Sequence, residues 1–264
     1  MKKKKIFSKP LVSVIINCRN GEKFLQKCIK SVIYQSYSNW EIIFFDNNSK
    51  DNSKNILNSF KDKRINYFSS NKPLNLYHAR NIAVNKAKGK YITFLDVDDW
   101  WVKCKLTDQI KLLKKIKSAN FIYTNLYIYN DASKKKYSYF KKKMPSGRIT
   151  QSLLNDYKIG ISTVMMNRKF FFKKKFNKNY NIIGDFDFFI NLSLQENFYC
   201  IQKPLIYFRK HKNNYSKKIY TYLRELDDWS KKNLNKLKKA NISLNKFRFF
   251  CYKLKLKKAF GWGL

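Results

Sequence analysis

The chain has 264 residues, 44% hydrophobic and 17% aromatic, and a formal net charge of +40 from 57 Lys and Arg against 17 Asp and Glu. That much apolar surface excludes a disordered chain and is enough for a full core, arranged as one domain with an appendage or as two small domains. Five scattered cysteines (Cys18, Cys28, Cys104, Cys200, Cys251) with no C-x-x-C pair argue against a disulfide framework or a zinc site and fit thiols held reduced in a cytoplasm.

The basic start, Met1 to Lys5, is not followed by an apolar stretch with a small-residue cleavage site, and no long apolar run occurs, so neither a signal peptide nor a membrane span is expected. Leu11 to Ile16 reads as a buried strand, stopped by Asn17-Cys18-Arg19-Asn20-Gly21. From Glu22 the apolar positions Phe24, Leu25, Cys28, Ile29, Val32 and Ile33 repeat at helical spacing, with Asn20 placed as a cap. Glu41 to Phe45 is a second strand, followed by the polar loop Asp46 to Asp51 and a helix marked by Ile56, Leu57 and Phe60. Arg64 to Phe68 predicts a third strand, and a helix through Ala79, Ile82, Ala83 and Ala87 leads into the strand Tyr91 to Leu95. Alternating strands and helices with short connections predict a parallel α/β sheet with helices on both faces. No Gly-x-Gly-x-x-Gly or Walker loop follows the first strand, which disfavours dinucleotide oxidoreductases and P-loop enzymes.

The Tyr91 strand ends on Asp96, Asp98 and Asp99. Carboxylates this close repel one another unless a cation sits among them, and open α/β sheets hold their ligands at the carboxyl ends of strands, so a divalent-metal site is one reading. An Asp-rich turn capping the helix that starts near Lys103 is the other. That helix (Leu106, Ile110, Leu113, Ile116) leads to the strand Phe121 to Tyr129, a basic exposed hairpin or loop from Lys134 to Lys143, a short helix over Ile149 to Leu154 and a strand from Ser162 to Met166. Asp185 and Asp187 then open an apolar helix, where they serve either as caps or as chemistry. A strand beginning near Tyr199 ends in Tyr207-Phe208-Arg209-Lys210-His211 and runs on to Ser216. From Lys217 an amphipathic helix is expected, with Tyr220, Leu223, Leu226 and Trp229 on one face. In the tract Phe247 to Lys258, aromatics and lysines interleave, which suits a membrane interface or aromatics packed on the domain with the lysines exposed. The charge has two explanations: an anionic partner, or compositional drift toward Lys, Asn, Ile, Phe and Tyr.

Together these segments resemble the family 2 glycosyltransferases over about residues 10 to 216. The resemblance is carried by Val12-Ser13-Val14-Ile15-Ile16 with Asn20-Gly21-Glu22-Lys23-Phe24-Leu25, by Ser31-Val32, Gln35 and Glu41-Ile42-Ile43, and by Asp46-Asn47-Asn48-Ser49. Ala79-Arg80-Asn81, the Gly89 to Asp99 stretch with its D-x-D, Gly184-Asp185 and Tyr207-x-Arg209-x-His211 complete it. It implies a GT-A type, Rossmann-like nucleotide-binding sheet over residues 10–216, with a nucleotide-binding half at about 10–118 and an acceptor half at about 119–216. A basic tail (1–9) would precede it and a helical, basic, amphipathic extension (217–264) would follow.

The implied activity is inverting transfer of a sugar from a nucleotide-diphosphate sugar, UDP-linked, to a hydroxyl of a glycan or lipid-linked acceptor in cell-surface polysaccharide or lipopolysaccharide synthesis. The implied donor-binding residues are Asn17, Arg19, Asn20, Glu22, Asp46, Asn47, Arg80, Asp96 and Val97. Asp98 and His211 would hold Mn²⁺ or Mg²⁺, and Asp185 would be the general base, with Asp187 in reserve. Asn47 stands where the family usually has a second aspartate, and its side-chain oxygen can accept a uracil N3–H. Arg19 stands where an aromatic commonly stacks on the base, Asn75 where a glycine and Tyr77 where a small residue are usual. The expected location is cytoplasmic, peripheral at the inner face of the cell membrane. The rival reading is a basic protein that binds a membrane surface or nucleic acid without transferase activity, nucleic acid being the less favoured partner. A sugar-phosphate nucleotidylyltransferase is disfavoured because its Gly-rich, Arg-bearing first loop is missing.

Overall fold

The apolar runs of the amino-terminal part form strands β1 (Val12–Cys18), β2 (Trp40–Asp46), β3 (Ile65–Ser69) and β4 (Tyr91–Phe94) in this computed structural model. It describes residues 9–212 and 219–259. The basic start at Met1 to Lys5, the Asn213 to Ser216 end of the late motif, Lys217 and the side chain of Lys258 lie outside the described residues. Helices α1 (Glu22–Ile33), α2 (Ser53–Asn58) and α3 (Leu76–Asn85) connect these strands. β1, β2 and β4 are covered on both faces, which is why they read as continuous apolar runs without alternation.

The rest of the chain supplies β5 (Trp100–Trp101), α4 (Lys105–Lys115), β6 (Phe121–Asn130), β7 (Lys136–Ser138), α5 (Thr150–Asn155), β8 (Met165–Asn167) and α6 (Arg168–Lys173). α7 (Gly184–Ser193), β9 (Phe198–Lys210), α8 (Ile219–Lys239) and α9 (Asn245–Ala259) follow. The strand order is β3-β2-β1-β4-β8-β6-β9-β5, with β7 paired to β6. Pairing is parallel from β3 to β4, then antiparallel on both sides of β8 and again between β5 and β9. The four amino-terminal strands thus pair in parallel, as their alternation with helices predicts, and the later strands make the sheet mixed. One layer of core lies between the sheet and α1, α2 and α4, and a second between the sheet and α3, α5, α6, α7, α8 and α9.

Several local expectations are corrected. The Ser162 to Met166 run is not one strand. Thr163 bonds back to the Gly160 carbonyl through both its backbone N–H and its hydroxyl, closing a 3₁₀ turn (Ile161–Thr163) before β8 begins. Trp100 and Trp101, between the acidic turn and the helix expected near Lys103, form an unpredicted short strand that pairs with Tyr207 and Ile206 of β9. α6, not predicted, is capped by the Asn167 side chain, which accepts from the Lys169 N–H. Tyr220, expected on the buried stripe of α8, is 71% exposed, while Leu223, Leu226 and Trp229 are buried. Steps of three residues drift around a helix, and Tyr220 ends up about 120° from the centre of that stripe.

Gly89, at the entry to β4, is a close-approach position: a Cβ there would lie 2.7 Å from the Ser13 backbone nitrogen. On the opposite layer Lys105 is fully buried, its Nζ donating to Thr93 Oγ1 (3.1 Å) and Gln109 Oε1 (2.9 Å) and lying 3.9 Å from the Trp101 ring centroid. Burial pushes its amine well below the usual lysine range. Between that lowered value and the ordinary lysine pKa of about 10.4, the unfolded chain binds a proton that the folded chain does not, so stability rises with pH across this window. Urea melts from about pH 7 to 10 should show that rise in the parent and a flatter profile in Lys105→Met; an equal slope in both would rule the amine out as its source.

Candidate active site

The parallel strands β1, β2 and β4 release their loops at one end of the sheet, as the doubly wound pattern requires. Beyond that end lies a cleft of about 1340 Å³. Asn17, Arg19 and Asn20 after β1, Asn47 after β2, Arg80 from α3, Asp96 to Asp99 after β4, Asp185 from α7 and His211 after β9 all line it.

The acids after β4 do not cap the next helix: α4 begins behind Cys104 with no side-chain cap. Instead each acid has a different task. Asp99 is buried and accepts from the Ser162 hydroxyl (2.8 Å) and the Arg209 backbone N–H (3.0 Å). Burial, reinforced by Asp98 and Asp96, pushes its carboxyl well above the usual range. Arg209 in turn donates from Nε to the Asp98 carbonyl oxygen (2.9 Å) and from a terminal nitrogen to Asp131 (2.7 Å). These bonds latch the end of β9 to the acidic loop and bring His211 Nε2 to 2.9 Å from Asp98 Oδ2, with the imidazole packed against Phe24 at a ring separation of 4.9 Å. Burial and the neighbouring Asp96 push the Asp98 carboxyl up, while the His211 hydrogen bond pulls it down. Asp96 pairs with the buried guanidinium of Arg80.

Asp185 sits in the first turn of α7, where its Oδ1 accepts from the Phe186 N–H (2.9 Å) and lies 3.2 Å from the Tyr77 hydroxyl, which donates to the Ile182 carbonyl at 2.6 Å. Burial pushes its carboxyl up, and the nearby Arg80 opposes this. Gly184 is where Tyr77 packs, since a Cβ would meet the ring at 2.5 Å. Asp187 turns the other way: it accepts from Trp229 Nε1 (2.9 Å) and Asn191 Nδ2 (2.8 Å) and is absent from the cleft lining.

The donor-side residues divide. Val97, Arg19 and Asn20 border the cleft, and the amide nitrogen of Asn17 is shielded from solvent with no hydrogen-bond partner, a donor aimed at nothing in the protein. Asn47, expected to read a uracil, has its oxygen engaged by the Leu74 N–H (2.8 Å) and the Ser70 hydroxyl (3.2 Å) and its nitrogen by the Leu74 carbonyl (2.8 Å). Its side chain shapes the wall by holding that loop. Asp46 is tied to the Ser49 N–H and the Tyr67 hydroxyl, and with them lines a separate polar hollow. Glu22 bonds to the Asn52 N–H, turned toward the start of α2 and away from the cleft. Among the described residues no group of three or more His, Cys, Asp or Glu is arranged around a single point. Asp98 and His211 make a two-donor set, carboxylate and imidazole, which fits Mn²⁺ or Mg²⁺ when substrate phosphates and water complete the shell.

Two contributors gave no signal in the sequence. Ser162 bridges the loop, donating to Asp99 and accepting from the Asp96 N–H (3.1 Å). Glu225, on α8, accepts from the backbone N–H groups of Asn181 (2.7 Å), Ile182 (2.9 Å) and Ile183 (3.2 Å), capping α7 from a distant part of the chain. Ile183 offers no side-chain cap of its own. Glu225→Ala should leave these donors unsatisfied and lower stability by about 2–4 kcal/mol. Hydrogen exchange should rise at residues 181–183 and stay unchanged in β1 and β2; uniform exchange across the chain would instead mean that Glu225 has no local role.

A family model described as Glycosyl transferase family 2 matches residues 13–176. The chain is 40% identical over 121 residues to UDP-Glc:alpha-D-GlcNAc-diphosphoundecaprenol beta-1,3-glucosyltransferase WfaP of Escherichia coli, a match covering 46% of this chain and 48% of that protein. It is 35% identical over 159 residues to WfgD of Escherichia coli, which carries the same activity in its name, covering 60% of each. The matched segments thus span about half to three fifths of these relatives. Among solved structures, S. aureus TarS 1-349 in complex with UDP-GlcNAc superposes with a TM-score of 0.72 at 17% identity, covering 96% of this chain and 73% of that one. Mannosyltransferase PcManGT from Pyrobaculum calidifontis, in complex with GDP-Man and Mn2+, gives 0.62 at 15% identity, covering 87% and 65%. At such identities the likeness is one of fold, the GT-A type mixed sheet flanked by helices. With the family match running over more than half of its length, and with that fold, the chain belongs to glycosyl transferase family 2.

Proposed function

We propose that this chain transfers a glycosyl group, with inversion, from a UDP-linked sugar to a hydroxyl of a glycan or lipid-linked acceptor in cell-surface polysaccharide synthesis. The observation that carries the reading is the convergence of Asp98, His211 and Asp185, far apart in sequence, on one cleft. A glycan or lipid-linked acceptor is supported by the relatives WfaP and WfgD, whose names specify a diphosphoundecaprenol-linked one. Work at the inner face of a membrane is the matching location; among the described residues no helix is long and apolar enough to cross one.

In this mechanism the acceptor oxygen attacks the anomeric carbon as the bond to the diphosphate oxygen breaks, and its proton passes to Asp185. Tyr77 and the Phe186 N–H hold the accepting carboxylate in place, leaving little reorganisation for the moment of transfer. A carboxyl raised by burial is also a better proton acceptor than a free aspartate. Asp187, committed to Trp229 and Asn191, is poorly placed for this role. Arg80 neutralises Asp96 at the cleft wall, so the anionic donor meets less repulsion. A divalent cation held by Asp98 and His211 would supply Lewis-acid stabilisation of the charge on the diphosphate. The shielded amide of Asn17 offers a donor to the nucleotide.

Asp185→Asn should lower kcat by about 10²–10⁴-fold with an unchanged melting temperature. In the parent, transfer should rise with pH along a limb set above the ordinary aspartate pKa of about 3.9, because only the ionised carboxylate accepts the proton. UDP with Mn²⁺, at about a hundred times Kd, should raise stability by about 2.7 kcal/mol, and Asp98→Asn should remove the metal-dependent part of that shift. A chain indifferent to every nucleotide, yet retained on polyanions, would favour the rival binding-protein reading.

A further inference from the structure

Helix α9 is apolar on two opposite faces. Inward, Phe247 is buried, stacked on Phe186 at 5.8 Å and edge-on to Trp229 at 5.5 Å. Outward, Phe249 and Tyr252 are each 57% exposed and Leu256 is 38% exposed. At about 100° per residue these three fall within about 60° of one another, forming a ridge. Lys246 and Lys253 border one side of it and Arg248 and Lys255 the other, and no acidic residue occurs from Asn245 to Ala259. Lys255 also reaches Asp227 at 3.5 Å, an exposed pair that holds it weakly.

We propose that this outer face of α9 docks on an anionic lipid leaflet. Phe249, Tyr252 and Leu256 would enter the boundary between headgroups and acyl chains, and the four flanking cations would lie against lipid phosphates. An aromatic and aliphatic ridge between two rows of long basic side chains is the composition of a helix lying in the plane of a membrane surface, and the basic stems can snorkel to the headgroups while their methylenes cover apolar surface. A protein partner fits less well, because lysine is depleted in protein interfaces. Phe186, on which α9 rests, is the residue after Asp185. Docking would therefore bring the leaflet about one helix diameter, roughly 10–12 Å, from the α7 turn that carries Asp185. The docking stands on α9 itself; its use, presenting a lipid-linked acceptor, rests on the function proposed above.

The test is co-sedimentation of the full chain with vesicles of phosphatidylcholine alone or mixed with phosphatidylglycerol. The parent should bind the mixed vesicles at least about tenfold more strongly than the neutral ones. A Phe249→Ser, Tyr252→Ser, Leu256→Ser triple variant should lose about tenfold or more on the mixed vesicles, while keeping its melting temperature and its transfer to a short soluble acceptor. Vesicle binding is read without turnover, so it can fail while the transferase reading stands, and the reverse. Three results would overturn the proposal: no binding by the parent, undiminished binding by the triple variant, which would assign attraction to the general basic surface, or a parent dimer that the triple variant breaks without any change in vesicle binding.

Discussion

Asp99 is an acid placed out of reach of solvent, where an uncompensated carboxylate costs several kcal/mol, and it is compensated from two directions. Ser162 approaches from the turn before β8, and the backbone of Arg209 from the end of β9. Because one buried group needs both partners, two segments 63 and 110 residues further along the chain are fixed to the acidic loop at the mouth of the sheet. The pairing of Asp98 with His211 follows from that fixation, since each residue neighbours a latched one. The cleft is thus shaped by the acid least available for chemistry.

Much of the amino-terminal half was legible because its signals are local. Strands covered on both faces leave continuous apolar runs, and helices with one buried stripe leave a periodic pattern, so β1, α1, β2 and β4 announce themselves. The convergence on the cleft was legible too, through the ordered motifs at Asp96 to Asp99, Gly184-Asp185 and Arg209 to His211. What stayed hidden depends on partners remote in sequence. Nothing around Glu225 says that its carboxylate caps α7 more than forty residues earlier. Asp185 and Asp187 look equivalent along the chain, yet the roughly half turn of helix between them sends them to opposite neighbours, Tyr77 and Trp229. The engagement of Asn47 with Ser70 and Leu74 was hidden for the same reason, because it is set by where that loop lands.

Charge is distributed with a clear division. Several of the scarce acids line the cleft, and Glu225 and Asp187 hold α7 against α8, whereas the abundant lysines lie mostly on the outside. Among the described residues Lys105 is the exception, a buried lysine whose amine is satisfied by a hydroxyl and an amide oxygen. Compositional drift can fill a surface with lysine cheaply, since a solvated ammonium loses little there. It can do so much less readily in a core, where the charged form is disfavoured.

The cap on α7 also sets an order of events. A polypeptide leaves the ribosome amino end first, and its parallel sheet can assemble while α8 is still being made. Until Glu225 emerges, the turn bearing Asp185 lacks the acceptor that closes its free N–H groups. The amino-terminal strands can therefore pair before the start of α7 is capped, and vectorial synthesis itself delays the moment at which that turn is fixed.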